Sequence, residues 1–130
     1  MQSSGLNNAA ALVGRLLLVA IFIQAGWGKI GGYEGTAAYM AKAGVPGSLL
    51  PIVIAVELLG GLLIVIGWQT RLVAIGLAIF TLVAAYLFHM NFGDQNQAIH
   101  FMKNVAIAGG FLVLAAGGAG AWSIDGRREA

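Results

Sequence analysis

The chain contains no cysteine at all. That single absence removes thiol nucleophiles, disulfides, iron–sulfur ligation and thiolate metal sites from the chemistry available to it. Charge is nearly as scarce. Only 9% of its 130 residues are Asp, Glu, Lys or Arg, against roughly 25% in an average soluble domain. The net charge of +2 comes from dispersed residues, so no basic stripe exists to meet nucleic acid. No glycine-rich phosphate loop opens a soluble helix, and no nucleophile–base arrangement is visible.

What fills the chain instead is apolar sequence, 59% of residues, with a mean hydropathy of +0.87. The expected fold is all-α, an integral membrane bundle of four helices forming one domain over residues 1–130. The spans are expected at about 9–28, 49–67, 71–89 and 98–120, each near the length that crosses a bilayer. Met1 to Asn8 reads as a short polar lead, without the basic and small-residue pattern of a cleaved signal. Between spans one and two, Tyr33, Ala37 and Met40 recur at helical spacing in a stretch too short to cross, which predicts an interfacial amphipathic helix. Gly44, Pro46 and Gly47 then turn the chain, Ser48 is an expected cap for span two with Pro51 in its first turn, and Thr70 is an expected cap for span three. Asp125 to Ala130 reads as a charged tail.

Four spans place both termini on one side. That side carries Arg15, Arg71, Arg127 and Arg128, against Lys29, Lys42 and Lys103 opposite, so cytoplasmic termini are expected. A two-helix repeat is suggested by Gly60-Gly61-Leu62 against Gly109-Gly110-Phe111, and by Arg15-Leu16 against Arg71-Leu72.

Glu57 sits close to the middle of span two. A carboxylate there costs roughly 3 kcal/mol on insertion scales unless it meets a partner. Because successive helices reverse direction, Gln24, Trp27 and Lys29, Glu57, His89, and His100, Lys103 and Asn104 fall in the same half of the bilayer, away from the termini. Lys103 is the favoured partner for Glu57 and Lys29 the second candidate. With Tyr33 and Tyr39 above them, these residues predict a lidded, partly polar pocket with Lys29, Glu57, His89, Lys103, Asn104, Gln24 and Trp27 as ligand-binding residues. Arg15 and Arg71 are expected to be structural charges. No metal site is expected, since His89 and His100 would need a third ligand such as Asp94 or Glu57.

Taken together, Gly14-Arg15-Leu16, Ala25-Gly26-Trp27-Gly28-Lys29, Tyr39-Met40, Gly44-Val45-Pro46-Gly47, Glu57-x-x-Gly60-Gly61, Phe88-His89-x-Asn91-Phe92 and Phe101-Met102-Lys103-Asn104 resemble the DoxX family of small four-span bacterial inner-membrane proteins. The resemblance implies a link to quinone-coupled oxidation of sulfur compounds or to resistance against quinone and oxidative stress. It also implies that Arg15, Lys29, Glu57, Arg71 and Lys103 with Asn104 are the recurrent polar positions. The cysteines of some relatives are missing, which argues against thiol–disulfide exchange. The expected function is a redox-associated protein that binds a quinone-like or other small lipophilic ligand, the quinone being the cofactor in view. The alternatives are an assembly subunit for a partner enzyme and a small-solute transporter, the latter needing a homo-oligomer.

Overall fold

Sequences this apolar fold in lipid by satisfying every backbone group within helices, since the bilayer core offers no water to bond them. The computed structural model describes residues 4–129 and contains four helices long and apolar enough to cross a membrane. Helix α1 spans Gly5–Gly31, α2 Tyr33–Lys42, α3 Leu50–Ile66, α4 Thr70–Phe88, α5 Gln95–Gly117 and α6 Ile124–Glu129, with one 3-10 turn at Gly47–Leu49 before α3.

The expected elements are present with shifted ends. The amide of Asn7 donates to the Ser4 hydroxyl at 3.0 Å, so α1 starts inside the expected polar lead; Met1 to Ser3 lie outside the described residues. Asp94 accepts from the Asn96 amide at 2.9 Å and starts α5 three residues before the expected boundary. At the other end α5 stops at Gly117, because Gly118 and Gly120 take left-handed φ angles of 81° and 90° and turn the chain. Ser48 makes no capping bond; the 3-10 turn leads directly into α3, with Pro51 tolerated in its first turn. Thr70 is not the cap of α4. It is the first helical residue, and Gln69 before it takes a left-handed φ of 51°.

The spans associate as two hairpins. α1 packs chiefly on α3 and α4 on α5, while α3 meets α4 over a smaller area. A core of Val19, Phe22, Ile64, Ala74, Leu77, Ala78, Ala108 and Phe111 joins them. The Phe22 and Phe111 rings meet edge to face at 5.3 Å, a favoured aromatic geometry. Lipid is as apolar as leucine, so close approach at small residues must do much of the packing. A Cβ on Gly26 would lie 2.7 Å from Leu58 Cγ, one on Gly61 2.8 Å from Ile23 and one on Gly60 2.9 Å from Leu77.

Arginines close the terminal end of each hairpin. Arg15 is 2% exposed; its Nη1 donates to the Ile64 and Val65 carbonyls at 2.7 and 3.0 Å, and its Nη2 to the Trp122 carbonyl at 2.6 Å. The Ile64 and Val65 carbonyls end α3, where no intrahelical donor remains. Arg71 does the corresponding thing for the second hairpin, with Nη1 donating to Ala116 near the end of α5 at 3.2 Å. The expected two-helix repeat therefore has a geometric counterpart in its arginines. Its glycine pairs are used differently, since Gly110 approaches Leu18 while Gly109 faces no neighbour within 4 Å.

Asp125 to Glu129 is not a loose charged tail. Asp125 Oδ1 and Oδ2 accept from the Gln69 and Thr70 amides at 2.9 and 2.8 Å, and the Asp125 amide donates to Gly67 at 2.8 Å. The cap of α4 thus comes from beyond the last span.

Candidate functional site

The polar half predicted from helix reversal is the half in which the polar side chains meet. Lys29 lies two residues before the end of α1, and Glu57 lies in α3, the helix on which α1 packs. Gly26 makes their encounter possible, for a Cβ there would reach 3.3 Å from Glu57 Cβ. The Lys29 ammonium stands 2.9 Å from Glu57 Oε1 and 3.2 Å from Oε2. Oε2 accepts a hydrogen bond from the ammonium, and Oε1 lies in ion-pair contact with it. The Glu57 side chain is 10% exposed and that of Lys29 27%, so the lysine is the member of the pair nearer the surface.

The expected preference for Lys103 as the partner of Glu57 is therefore corrected. Both lysines lie at a suitable depth, but α3 and α5 belong to different hairpins and barely touch, whereas α1 and α3 are direct neighbours. Lys103 Nζ instead lies 3.2 Å from His100 Nδ1, one helical turn earlier on α5. A lysine ammonium can only donate, so this contact requires His100 Nδ1 to be unprotonated.

Lys103 still faces the pair across a cleft of about 200 Å³. Lys29, Glu57, Lys103, Asn104 and Thr81 supply its polar groups, and Ile21, Phe22, Phe80 and Ile107 its apolar walls. Asn104 Nδ2 donates to the Thr81 carbonyl at 3.2 Å, and the Thr81 hydroxyl donates to Leu77 at 2.7 Å, fixing α5 against α4 beside the cleft. A small cleft with mostly apolar walls and a few convergent polar groups is the usual form of a ligand site.

The remaining expected residues lie elsewhere. His89 caps α4, accepts or donates through Nδ1 to Gln97 Oε1 at 3.3 Å, and stacks on His100 with ring centroids 5.1 Å apart. Burial holds the His89 imidazole below its ordinary pKa; the Gln97 contact raises it, and the neighbouring His100 and Lys103 lower it further. His89 does not line the cleft, and neither do Gln24 and Trp27, both of which are exposed. Among the described residues no group of three His, Cys, Asp or Glu is placed to hold a metal ion. Helix α2 lies at this end of the bundle, with Met40 buried and the Tyr39 ring 5.6 Å from Phe88, yet it contributes no wall to the cleft. It covers the helix ends beside the cleft and is not a lid directly on it.

Comparison with known proteins agrees with this architecture. The pattern that defines the DoxX family matches residues 10–90. The chain is 52% identical over 120 residues to the inner membrane protein YqjF of Escherichia coli K12, covering 92% of both chains. It is 42% identical over 123 residues to the inner membrane protein YphA of the same organism, covering 89% of this chain and 88% of that one. A Bacillus subtilis protein named "Putative oxidoreductase CatD" is 34% identical over 73 residues, 56% of this chain and 54% of its own. No solved structure matches the chain.

Proposed function

This chain belongs to the DoxX family, and from that premise we propose that it is a redox-associated inner-membrane protein whose cleft binds a quinone-like or other small lipophilic ligand. The observation that carries the reading is the cleft itself, where cationic and amide side chains from different helices converge on apolar walls. A quinone head is a flat apolar ring with two opposed acceptor oxygens. Lys29 and Lys103 stand on α1 and α5, so they can donate to the two ends of such a ring while Phe22 and Phe80 pack against its body. Glu57 orients the Lys29 ammonium and offers a carboxylate as a proton acceptor beside it. In this reading both termini are cytoplasmic and the cleft lies in the outer half of the bilayer. The names of YqjF and YphA support the membrane, and that of CatD supports the redox association.

The test is chemical. Protein purified in mild detergent should carry extractable quinone or show a spectral and thermal shift with a short-chain quinone. Glu57→Gln and Lys103→Met should weaken that response. If the wild-type protein carries no quinone and responds to none, the proposal fails.

A second reading is favoured by one feature of α5, which leaves more of its surface outside the bundle than any other span. In that reading α5 docks a partner membrane protein and the chain acts as an assembly subunit. A stable complex recovered from mild detergent, with no ligand in the cleft, would favour it.

A further inference from the structure

The charges around the cleft do not balance. Glu57 is the one carboxylate in its lining, and Lys29 engages that carboxylate directly. Lys103 has no such partner. Among the described residues the Lys29–Glu57 contact is the one ion pair, and the Lys103 ammonium meets only an imidazole nitrogen, His100 Nδ1, at 3.2 Å. Lys103 is the ninth residue of α5, roughly 12 Å along the helix axis from its start at 1.5 Å per residue, and its side chain is half-buried and lines the cleft. An ammonium at that depth is costly unless it meets negative charge or water. His100 does not supply that charge. Its unprotonated Nδ1 aligns the ammonium and leaves the full positive charge in place, and Asn104 beside it is neutral.

We infer that the cleft selects an acidic lipophile, a molecule whose anionic oxygen, carboxylate or phosphate, meets Lys103 while its apolar body lies along Phe22, Phe80 and Ile107. The inference rests on the ligand-binding reading above and narrows it from an acceptor oxygen to a charged one. A neutral hydroxyl can accept from the same ammonium, but an anion adds the Coulomb attraction of an ion pair, for which a preference of roughly tenfold over a neutral analogue of the same shape is expected. The anionic oxygen has two sources in a membrane, a free lipophilic acid and a phospholipid headgroup.

The experiment uses the full chain in detergent and measures binding of dodecanoate, dodecanol and dodecylamine at a pH where the acid is ionised, together with a short-chain neutral quinone. Dodecanoate should bind at least tenfold more tightly than dodecanol, and dodecylamine most weakly. Lys103→Met should bring dodecanoate and dodecanol level, and Lys103→Arg should preserve the difference, which separates loss of charge from loss of fold. Competition by phosphatidic acid at equal anion concentration would identify a headgroup as the occupant; its absence would identify the free acid; either agrees with the inference. Equal binding of dodecanoate and dodecanol with the quinone still bound would overturn the charge selection and leave the broader reading standing. Failure of every probe, quinone included, would overturn both.

Discussion

The Thr70 amide donates to Asp125 Oδ2 at 2.8 Å, joining the first residue of α4 to the last helix of the described chain across fifty-five positions. The loop Gly67-Trp68-Gln69 is too short and too apolar to supply its own cap, so the amides at the start of α4 depend on that distant carboxylate. Asp125→Ala should lower stability by about 1 kcal/mol, the usual cost of losing a helix N-cap. Thermal unfolding in detergent measures it, and Asp125→Ser should recover part of the loss.

The same carboxylate gives a pH dependence with a definite sign. Burial raises the Asp125 pKa, but the Thr70 and Gln69 hydrogen bonds and the nearby Arg128 outweigh it, and the carboxyl stays below its ordinary value. A group depressed on folding contributes stability that is complete above its unfolded pKa and is lost as pH falls through the folded one. Acidification below the ordinary aspartate range should therefore loosen the α6 contact in wild type. Asp125→Asn should lack that acid-dependent component when unfolding is followed against pH.

Removing Lys29 should cost more than removing the charge of Glu57. Lys29→Met leaves a buried carboxylate uncompensated, which costs about 3 kcal/mol or more. Glu57→Gln leaves an ammonium near the helix end that can extend toward the headgroups, so its cost should be nearer 1 kcal/mol. The double variant should be more stable than Lys29→Met alone, as a double-mutant cycle of thermal unfolding would register.

Arg15 donates to three carbonyls, two at the end of α3 and one at Trp122. Arg15→Met should destabilise by about 2–4 kcal/mol, because the lost charge-assisted bonds outweigh the relief of a buried cation. Arg15→Lys should lie between, since an ammonium cannot reproduce the fork that spans α3 and Trp122.

Glycine substitutions should separate the packed seams from the lipid face. Gly26→Ala forces Leu58 to move and should cost about 1–3 kcal/mol. Gly109→Ala meets nothing within 4 Å and should be neutral or slightly stabilising, since alanine favours the helix.

The four spans and the gathering of polar residues at one end were readable because apolar run length and chain reversal are linear properties of a sequence. The pairing of Glu57 was not. Depth along a helix places Lys29 and Lys103 equally well, and only the neighbour relation of α1 and α3 decides between them. Asp125 was hidden for another reason. Its role depends on a fold that returns the segment after Gly118 and Gly120 to the start of α4, although the Ser123-x-x-Gly126 spacing is a signal that the tail is structured. Gln24 and Trp27 share the correct depth with Lys29 but point to other faces of α1, a distinction that span position alone does not carry.

The most direct test is to fill the cleft without touching any charge. Ala84 lines it from α4, and Ala84→Phe should occupy the space while leaving Lys29, Glu57 and Lys103 in place. With a short-chain quinone titrated in detergent, the wild-type unfolding temperature should rise with concentration and that of Ala84→Phe should stay flat. Equal rises in both proteins would place the ligand elsewhere and contradict the account.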